Sequence, residues 1–474
     1  MIVHGYVPND MLLSTVIPIP KNKRNSLNNS DNYRAIALSS ALGKLLDNVI
    51  LEKYKEYFQT TDLQYGFKKG HSTSQCTFVL NEVIKYYNNN NTDVNCILLD
   101  ASKAFDRVEY VKMFNLLLSN GLSVLYCRFL AVLYTNQTLS VKWGNYMSRH
   151  INVKNGVKQG GVLSPIMFGV YIDVLIKQLS HSKVGCYIGD LFVGALGYAD
   201  DLVLLAPTLS ATNIMLNLAN QFEKDYCIEF NSNKTKFLLF AYEEKKIDRI
   251  VFTDHVIQIS KCEKHLGNFI GDNANSVNIV NSMNNFASIV NYITSVYKYA
   301  HYDVKVKLFH CYAMLFYGSV LWDFASPEFK NVYSKWRDAI RRLLDLSPIS
   351  HCNLLPLLCD TLPFDVFMYK RFLKFINNNI KCENNVVKIC TKLMSNGSGT
   401  SCSNNYSFIC RQYNLEKHDS NFLNKFLTMI NIYEDDPNDI AASIIIDLLR
   451  MKSEVNKFFT ISQINDIINY VCRY

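Results

Sequence analysis

Two neighbouring carboxylates, Asp200 and Asp201, lie between apolar runs in the segment GYADDL at 197–202. Apolar runs broken by a short polar pair are typical of a strand, a tight turn and a second strand, so we expect both aspartates at a hairpin tip beside the core. A third aspartate, Asp100, ends another apolar strand at 96–100. On a neighbouring strand, Asp100 would meet the hairpin.

Three carboxylates in this arrangement suit metal-dependent phosphoryl transfer. Adjacent carboxylates repel one another and raise each other's pKa unless a cation stands between them. Mg²⁺ prefers a few carboxylate oxygens plus substrate phosphates, and a pair of such ions stabilises both the attacking and the leaving oxygen. An Asp-Asp pair alone favours an ordinary turn, and it is Asp100 that favours a two-metal site.

The composition indicates a folded protein of several subdomains. The chain has 474 residues, and its 49% hydrophobic content suffices for two or three subdomains. Lys and Arg outnumber Asp and Glu by 49 to 41, which suits a polyanionic partner. The 14 cysteines contain no Cys-x-x-Cys pair and the start carries no secretory signal, so we expect reduced thiols in an intracellular protein.

We expect no membrane partner, because the longest apolar stretch, 308–322, is shorter than the roughly 20 residues of a spanning helix. This stretch predicts a buried helix instead.

Basic residues flank a predicted hairpin near the N-terminus. Lys21 follows a strand at 14–20 that prolines end, and Arg34 lies near the start of an alternating strand at 33–38. Two cations at a hairpin tip can clamp a triphosphate, Arg through its bidentate fork. A solvated basic loop is the alternative. The segment 41–58 then predicts an amphipathic helix.

Two further loops suit a nucleic-acid ligand. The segment QYGFKKGHST at 64–73 contains Tyr65 and Phe67, which can stack on a base, although it also suits a plain turn before a helix at 74–87. The segment GVKQGGVLSP at 156–165 is a glycine-rich loop feeding a helix, with Ser164 as N-cap and one apolar face. Glycines there let a backbone approach a nucleotide closely.

The remaining chain carries weaker signals. Phe105 lies in a helix predicted after Asp100, where it forms either core packing or a wall beside a sugar. Lys234 precedes a strand at 237–240, and 264–267 suggests another hairpin. The segment 277–346 is helical with one basic helix, and helices continue after 347. Cysteines at spacings of 8, 12 and 8 near 382–410 do not match a zinc module, so we expect no metal there.

Taken in order, these motifs resemble the reverse transcriptase of non-LTR (LINE-type) retrotransposons. The resemblance implies an α+β fold, a polymerase right hand with fingers, a palm of antiparallel sheet plus helices, and a helical thumb. It implies fingers at 1–95, palm at 96–270 with a fingers insertion at about 120–155, thumb at 271–346, and a helical C-terminal region of unknown role at 347–474. It also implies an RNA template, a DNA primer or target DNA and dNTPs as partners, in nucleus and cytoplasm.

The resemblance further implies a role for individual residues. Two Mg²⁺ ions, or Mn²⁺, would be held by the palm carboxylates and by the Ala101 carbonyl, and Phe105 would exclude a 2′-hydroxyl. Lys234 would be the proton donor to pyrophosphate. The implied nucleotide-binding residues are Lys21, Arg34, Phe105, Gln159 and Gly160. The implied primer- and template-binding residues are Tyr65, Phe67, Tyr198, Lys264, His265, Leu266 and Gly267.

Three other classes of protein share part of this pattern. A viral RNA-dependent RNA polymerase commonly has Gly-Asp-Asp where this chain has Ala199, and a polar residue in place of Phe105. A group II intron maturase differs mainly by extra RNA- and DNA-binding modules. An inactive or truncated transposon-derived nucleic-acid-binding protein is the third. Because relatives usually carry an endonuclease ahead of the polymerase and nothing precedes the fingers here, we expect a fragment or a degenerate copy.

Overall fold

The computed structural model describes residues 1–22, 26–241, 250–252, 255–417, 421–431 and 446. These residues form two compact units. The first comprises the described residues of Met1–Cys76 and Asn90–Ser260, and the second comprises Thr77–Asn89 with the described residues from Lys261 onward. Part of the C-terminal region predicted at 347–474 lies outside the described residues.

The strands are β1 (Leu13–Pro20), β2 (Tyr33–Ser39), β3 (Val94–Ser102), β4 (Thr138–Trp143), β5 (Tyr146–Met147), β6 (Ile151–Asn152), β7 (Tyr187–Ile188), β8 (Leu191–Phe192), β9 (Ala195–Tyr198), β10 (Asp201–Ala206), β11 (Glu229–Phe230), β12 (Lys236–Phe240), β13 (Val251–Phe252), β14 (His255–Val256), β15 (Gln258–Ile259), β16 (Cys262–His265) and β17 (Asn268–Gly271).

The α-helices are α1 (Asn9–Leu12), α2 (Ala41–Tyr54), α3 (Thr73–Asn89), α4 (Tyr110–Ser119), α5 (Val124–Thr135), α6 (Ser164–His181), α7 (Leu209–Tyr226), α8 (Ala274–Val296), α9 (Tyr302–Leu308), α10 (Pro327–Leu344), α11 (Leu354–Leu358), α12 (Phe364–Lys381), α13 (Asn385–Ser395), α14 (Ser401–Gln412) and α15 (Phe422–Asn431).

The first sheet of the first unit has the order β2-β1-β4-β5, with β6 also paired to β4. β1 is antiparallel to β2 from Ser14 to Pro20, with Ile19 opposite Arg34, but parallel to β4 only from Leu13 to Val16. The second half of β1 is thus an edge, where Pro18 and Pro20 remove no ladder hydrogen bond. The hairpin predicted between Lys21 and Arg34 is confirmed.

The second sheet of the first unit has the order β15-β12-β3-β10-β9, with β11 also paired to β3. β3 and β10 are antiparallel neighbours whose apolar residues, including Ile97 and Val203, are fully buried. Strands buried on both faces show continuous apolar runs rather than alternation. The hairpin predicted around Asp200 and its pairing with the strand of Asp100 are both confirmed.

Helix α6 packs under this sheet and is buried almost all round, so the prediction of a single apolar face was wrong. Phe168, Ile172 and Ile176 are as buried as Met167, because other elements of the first unit surround the helix. The helix also begins at Ser164, with Leu163 at the cap position and no side-chain cap.

The second unit is mainly helical around an aromatic core. Among its described residues, Trp322 and Trp336 are the largest fully buried side chains, and the ring centroids of Trp336 and Phe364 are 5.8 Å apart. The single helix predicted at 308–322 was wrong, because α9 ends at Leu308 and a π-turn and a 3₁₀ turn follow.

Mixed helices and sheets confirm the predicted α+β class, whereas the domain boundaries stay a prediction. None of the helices in the described part of the chain is long and apolar enough to cross a membrane.

Candidate active site

The two central strands of the second sheet bring the three predicted carboxylates together. Asp201 is the first residue of β10 and lies directly opposite Asp100 on β3. Tyr198 pairs with Asp201 across the hairpin, so Ala199 and Asp200 form a two-residue turn. Ala199 has φ +59°, the left-handed conformation that such a turn requires at its first position.

The carboxylates interact through space. Burial raises the pKa of Asp200, the Asp100 carboxylate raises it further, and the Arg34 guanidinium opposes the rise. Burial raises the pKa of Asp201 to about 6, with added repulsion from Asp200 and Asp100. The cluster therefore carries negative charge that a cation would stabilise.

Two of the predicted cations act on this cluster. The Lys234 ammonium lies 3.3 Å from Asp100 Oδ2, although its side chain is 66% exposed. Arg34 lies on the exposed surface of β2, close enough to lower the pKa of Asp200. Lys21 instead donates to the Asp31 carbonyl at 2.9 Å, and together with Lys234 it lines a cavity of about 310 Å³.

Asn231 supports Lys234, and sequence reasoning missed this residue. Its N–H donates to the Asp100 carbonyl at 2.8 Å, while its Oδ1 accepts from the N–H of Asn233 at 3.1 Å and of Lys234 at 3.2 Å. This Asx-turn ties the backbone of Lys234 to that of Asp100. The sequence signal for this turn was the segment NSNK at 231–234, because Asn side chains favour Asx-turns.

Phe105 lies in a short 3₁₀ helix, Ala104–Arg107, rather than in the α-helix that was predicted, and α4 begins three residues later. Its ring stacks on Phe168 with centroids 4.6 Å apart and an interplanar angle of 17°. Phe168 is fully buried, whereas Phe105 is only partly buried. One face of the Phe105 ring is thus packed against the buried ring of Phe168.

The glycine-rich loop that carries Gln159 and Gly160 packs against two other site elements. The Gln159 carbonyl accepts the Ala37 N–H of β2 at 2.7 Å, and the Val157 N–H donates to the Phe105 carbonyl at 2.7 Å. A Cβ at Gly160 would lie 2.6 Å from the Ala37 carbonyl oxygen. This glycine therefore permits close packing of the loop on the strand of Arg34.

The aromatic residues of the 64–73 loop differ in their placement. Phe67 is 52% exposed and contacts Phe105 edge to face, with centroids 6.4 Å apart. Tyr65 is fully buried, so its ring does not stack on a base in this structure, and that expectation is corrected. The ring belongs to the core because the Tyr65 N–H and the Leu63 carbonyl both pair with Gly197.

The segment Lys264–Gly267 lies in the second unit, where β16 and β17 form the predicted hairpin. Leu266 and Gly267 both have positive φ, and the Tyr317 hydroxyl donates to the Leu266 carbonyl at 2.8 Å. Burial lowers the pKa of His265 to about 4, so this residue is a neutral core histidine rather than a cationic contact. A primer contact by this hairpin stays a prediction.

The donor set fits Mg²⁺, which binds hard oxygen ligands. Asp100, Asp200 and Asp201 offer only oxygens, and their mutual repulsion would fall on binding a divalent cation. Within the described ranges, no group of three His, Cys, Asp or Glu side chains is arranged to hold an ion alone. Mg²⁺ commonly takes several ligands from water and substrate phosphates, so the carboxylates suit an ion bound together with substrate.

Residues 19–274, more than half of the chain, match the family model described as reverse transcriptase (RNA-dependent DNA polymerase). The chain is 28% identical over 43% of its length to the Pol polyprotein of the type-1 retrotransposable element R2 of Popillia japonica, of which it covers 29%. It is 24% identical over 48% of its length to that of element R2DM of Drosophila melanogaster, of which it covers 22%.

The chain is also 23% identical over 66% of its length to the RNA-directed DNA polymerase of the mobile element jockey of Drosophila funebris, of which it covers 36%. It therefore spans between about a fifth and just over a third of the length of these relatives. A solved telomerase of Candida tropicalis in complex with an RNA fragment aligns with 97% of this chain and 64% of its own, at 12% identity and a TM-score of 0.39.

Proposed function

Because this chain belongs to the reverse transcriptase (RNA-dependent DNA polymerase) family, we propose that it extends the 3′-hydroxyl of a primer with dNTPs on an RNA template. The observation that carries the proposal is the register of β3 and β10, in which Asp100 faces Asp201 with Asp200 in the adjoining turn. This register confirms the pairing predicted from the motifs, whose resemblance to non-LTR reverse transcriptases the relatives also confirm.

Asp100, Asp200, Asp201 and the Ala101 carbonyl would hold two Mg²⁺ ions, for which Mn²⁺ can substitute. When bound, such ions lower the pKa of the primer hydroxyl and stabilise charge on the departing pyrophosphate. The carboxylates themselves must be ionised to bind metal. The raised pKa of Asp201, about 6, keeps part of the cluster protonated in mildly acidic solution without metal.

The cations around the carboxylates bind the triphosphate. Arg34 offers a planar fork suited to phosphate oxygens, and Lys21 offers a point charge across the same hairpin loop. Lys234 is paired with Asp100 before substrate arrives. The Lys234 ammonium would donate a proton to the departing pyrophosphate, which would require release of its ion pair with Asp100.

The surfaces beside the carboxylates position the sugar and the bases. The Phe105 ring, supported by Phe168, excludes a 2′-hydroxyl. Gln159 and Gly160 lie beneath the incoming nucleotide, on a loop hydrogen-bonded to the strand of Arg34. Phe67, Tyr198 and the Lys264–Gly267 hairpin contact primer and template.

Primer extension on an RNA template with Mg²⁺, with dNTPs and rNTPs in parallel reactions, tests this proposal. We expect extension with dNTPs and much slower extension with rNTPs. Binding of the primer–template without extension, in either metal and with either nucleotide, would instead support an inactive nucleic-acid-binding protein.

A further inference from the structure

The side chain of Gln64 joins two loops directly beneath the turn that carries Asp200. Gln64 is fully buried, and its Oε1 accepts the N–H of Gly66 at 2.9 Å and the N–H of Ala199 at 3.0 Å. Its Nε2 has no hydrogen-bond partner within the described part of the chain. The oxygen is therefore the group through which this side chain acts.

The backbone on both sides of Gln64 is paired with the strand that leads into the turn. The Gly197 N–H donates to the Leu63 carbonyl at 2.8 Å, and the Tyr65 N–H donates to the Gly197 carbonyl at 2.7 Å. These bonds make Gln64 and Gly197 an isolated parallel bridge. The Gln64 amide is thus held in a fixed direction toward Ala199.

Ala199 needs such an anchor. Its φ of +59° is unfavourable for a residue with a Cβ, and a residue in this conformation persists only where its surroundings impose it. Ala199 is 5% exposed, and its N–H lies in the turn, outside the β9–β10 ladder. The Gln64 oxygen supplies the acceptor that this buried donor requires.

The 64–67 loop and the turn pack closely around the Gln64 amide. A Cβ at Gly66 would lie 2.4 Å from the Ala199 nitrogen. A Cβ at Gly197 would lie 3.0 Å from Gln64 Nε2 and 2.9 Å from Ile176 Cδ1. Both glycines therefore permit the approach of the 64–67 loop to the turn.

We propose that Gln64 is a positioning residue: its Oε1 holds Ala199 in the left-handed conformation and so sets where Asp200 and Asp201 present their carboxylates to the reactants. Gln64 touches no reactant itself. The predicted effect on catalysis rests on the proposed function, whereas the predicted effect on the conformation of Ala199 rests on the turn alone.

Gln64→Met tests the inference, because methionine has a similar length but no strong acceptor. Gln137→Met is the matched control, since Gln137 is also a buried glutamine but lies beside β4 in the other sheet. Hydrogen exchange of the peptide 195–206 reports the turn without any need for activity. Single-turnover extension then reports the catalytic rate, the KM for dNTPs and the Kd for primer–template.

For Gln64→Met we expect exchange in 195–206 to be roughly tenfold faster or more and the extension rate to fall about 10- to 100-fold. KM and Kd should stay within about threefold, because binding groups outside the turn are intact. Gln137→Met should match wild type in exchange at 195–206. Wild-type exchange at the turn in Gln64→Met, or a wild-type extension rate, would overturn the inference.

Gln64→Glu distinguishes a local effect on the turn from a general loss of folding. It keeps an acceptor oxygen, so the turn should retain the protection that Gln64→Met loses. Equal loss of protection in both variants, or failure of both to fold, would make Gln64 a structural residue and overturn the positioning role. An inactive wild type would contradict the proposed function instead. Hydrogen exchange of Gln64→Met and wild type would still show whether Gln64 holds the conformation of the turn.

Discussion

Glu82 is a buried carboxyl whose ionisation should destabilise the second unit. Glu82 is fully buried in α3, where its Oε1 accepts from the Thr400 hydroxyl at the start of α14. Its Oε2 has no hydrogen-bond partner among the described residues. Burial raises the pKa of Glu82 from 4.5 to about 7, against hydrogen bonds from Thr400 and Ser398 that lower it. The native state therefore favours the protonated acid.

The sign of the pH dependence of stability follows from the higher pKa of Glu82 in the native state than in the unfolded state. Between pH 4.5 and 7 the native state holds a proton that the unfolded state has lost, so stability falls as pH rises through that window. The rise in pKa corresponds to about 3 kcal/mol, lost by pH 8 relative to pH 4.5. Glu82→Gln keeps an acceptor oxygen and removes the charge, so it should be more stable than wild type at pH 8 by a similar amount.

Urea unfolding at pH 5 and pH 8, followed by circular dichroism, measures this difference. Glu416→Gln is the control, because Glu416 is an exposed glutamate in the same unit. We expect Glu82→Gln to lose the part of the pH dependence that this carboxyl contributes, about 3 kcal/mol, and Glu416→Gln to retain it. A Glu82→Gln protein less stable than wild type at pH 8 would refute the reasoning, since it would show that the ionised carboxylate is stabilised by its surroundings.

Three further outcomes concern the candidate active site. Arg34→Ala should raise the KM for dNTPs more than it weakens primer–template binding, because its guanidinium meets the triphosphate; a fall in duplex affinity with unchanged KM would make it a backbone contact. Phe105→Val should lower the dNTP-to-rNTP ratio of kcat/KM, whereas an unchanged ratio with a loss of about 1–3 kcal/mol in stability would assign Phe105 to the core. Ala199→Gly should raise the free energy of unfolding by about 0.5–1 kcal/mol, because glycine adopts positive φ without strain; a lower midpoint in urea would contradict this.

Local patterns predicted the main elements of the site well. The apolar runs ending at Asp100 and flanking Asp200 form β3, β9 and β10, because such runs have few alternatives to a buried strand. The pairing of Asp100 with Asp201 was expected only in general terms. Its register depends on which faces of both strands are buried, and that information is spread over the whole core.

Other features depend on contacts distant in sequence and were missed. Gln64 looked like a polar loop residue, yet it is fully buried because it bonds a backbone N–H 135 residues away. Tyr65 looked available for stacking but is buried by the same pairing. Burial on all sides of α6 likewise depends on elements that no local periodicity reveals.

The central claim is that the carboxylates on β3 and β10 carry out nucleotide addition, and Asp200→Asn tests it most directly. Its control is Asp190→Asn, an exposed aspartate of the same unit in the β7–β8 turn. We predict that Asp200→Asn lowers single-turnover extension on an RNA template roughly 10³-fold or more, about 4 kcal/mol of barrier. Primer–template affinity should be nearly unchanged, and Asp190→Asn should extend like wild type. Extension by Asp200→Asn at a wild-type rate would contradict the account.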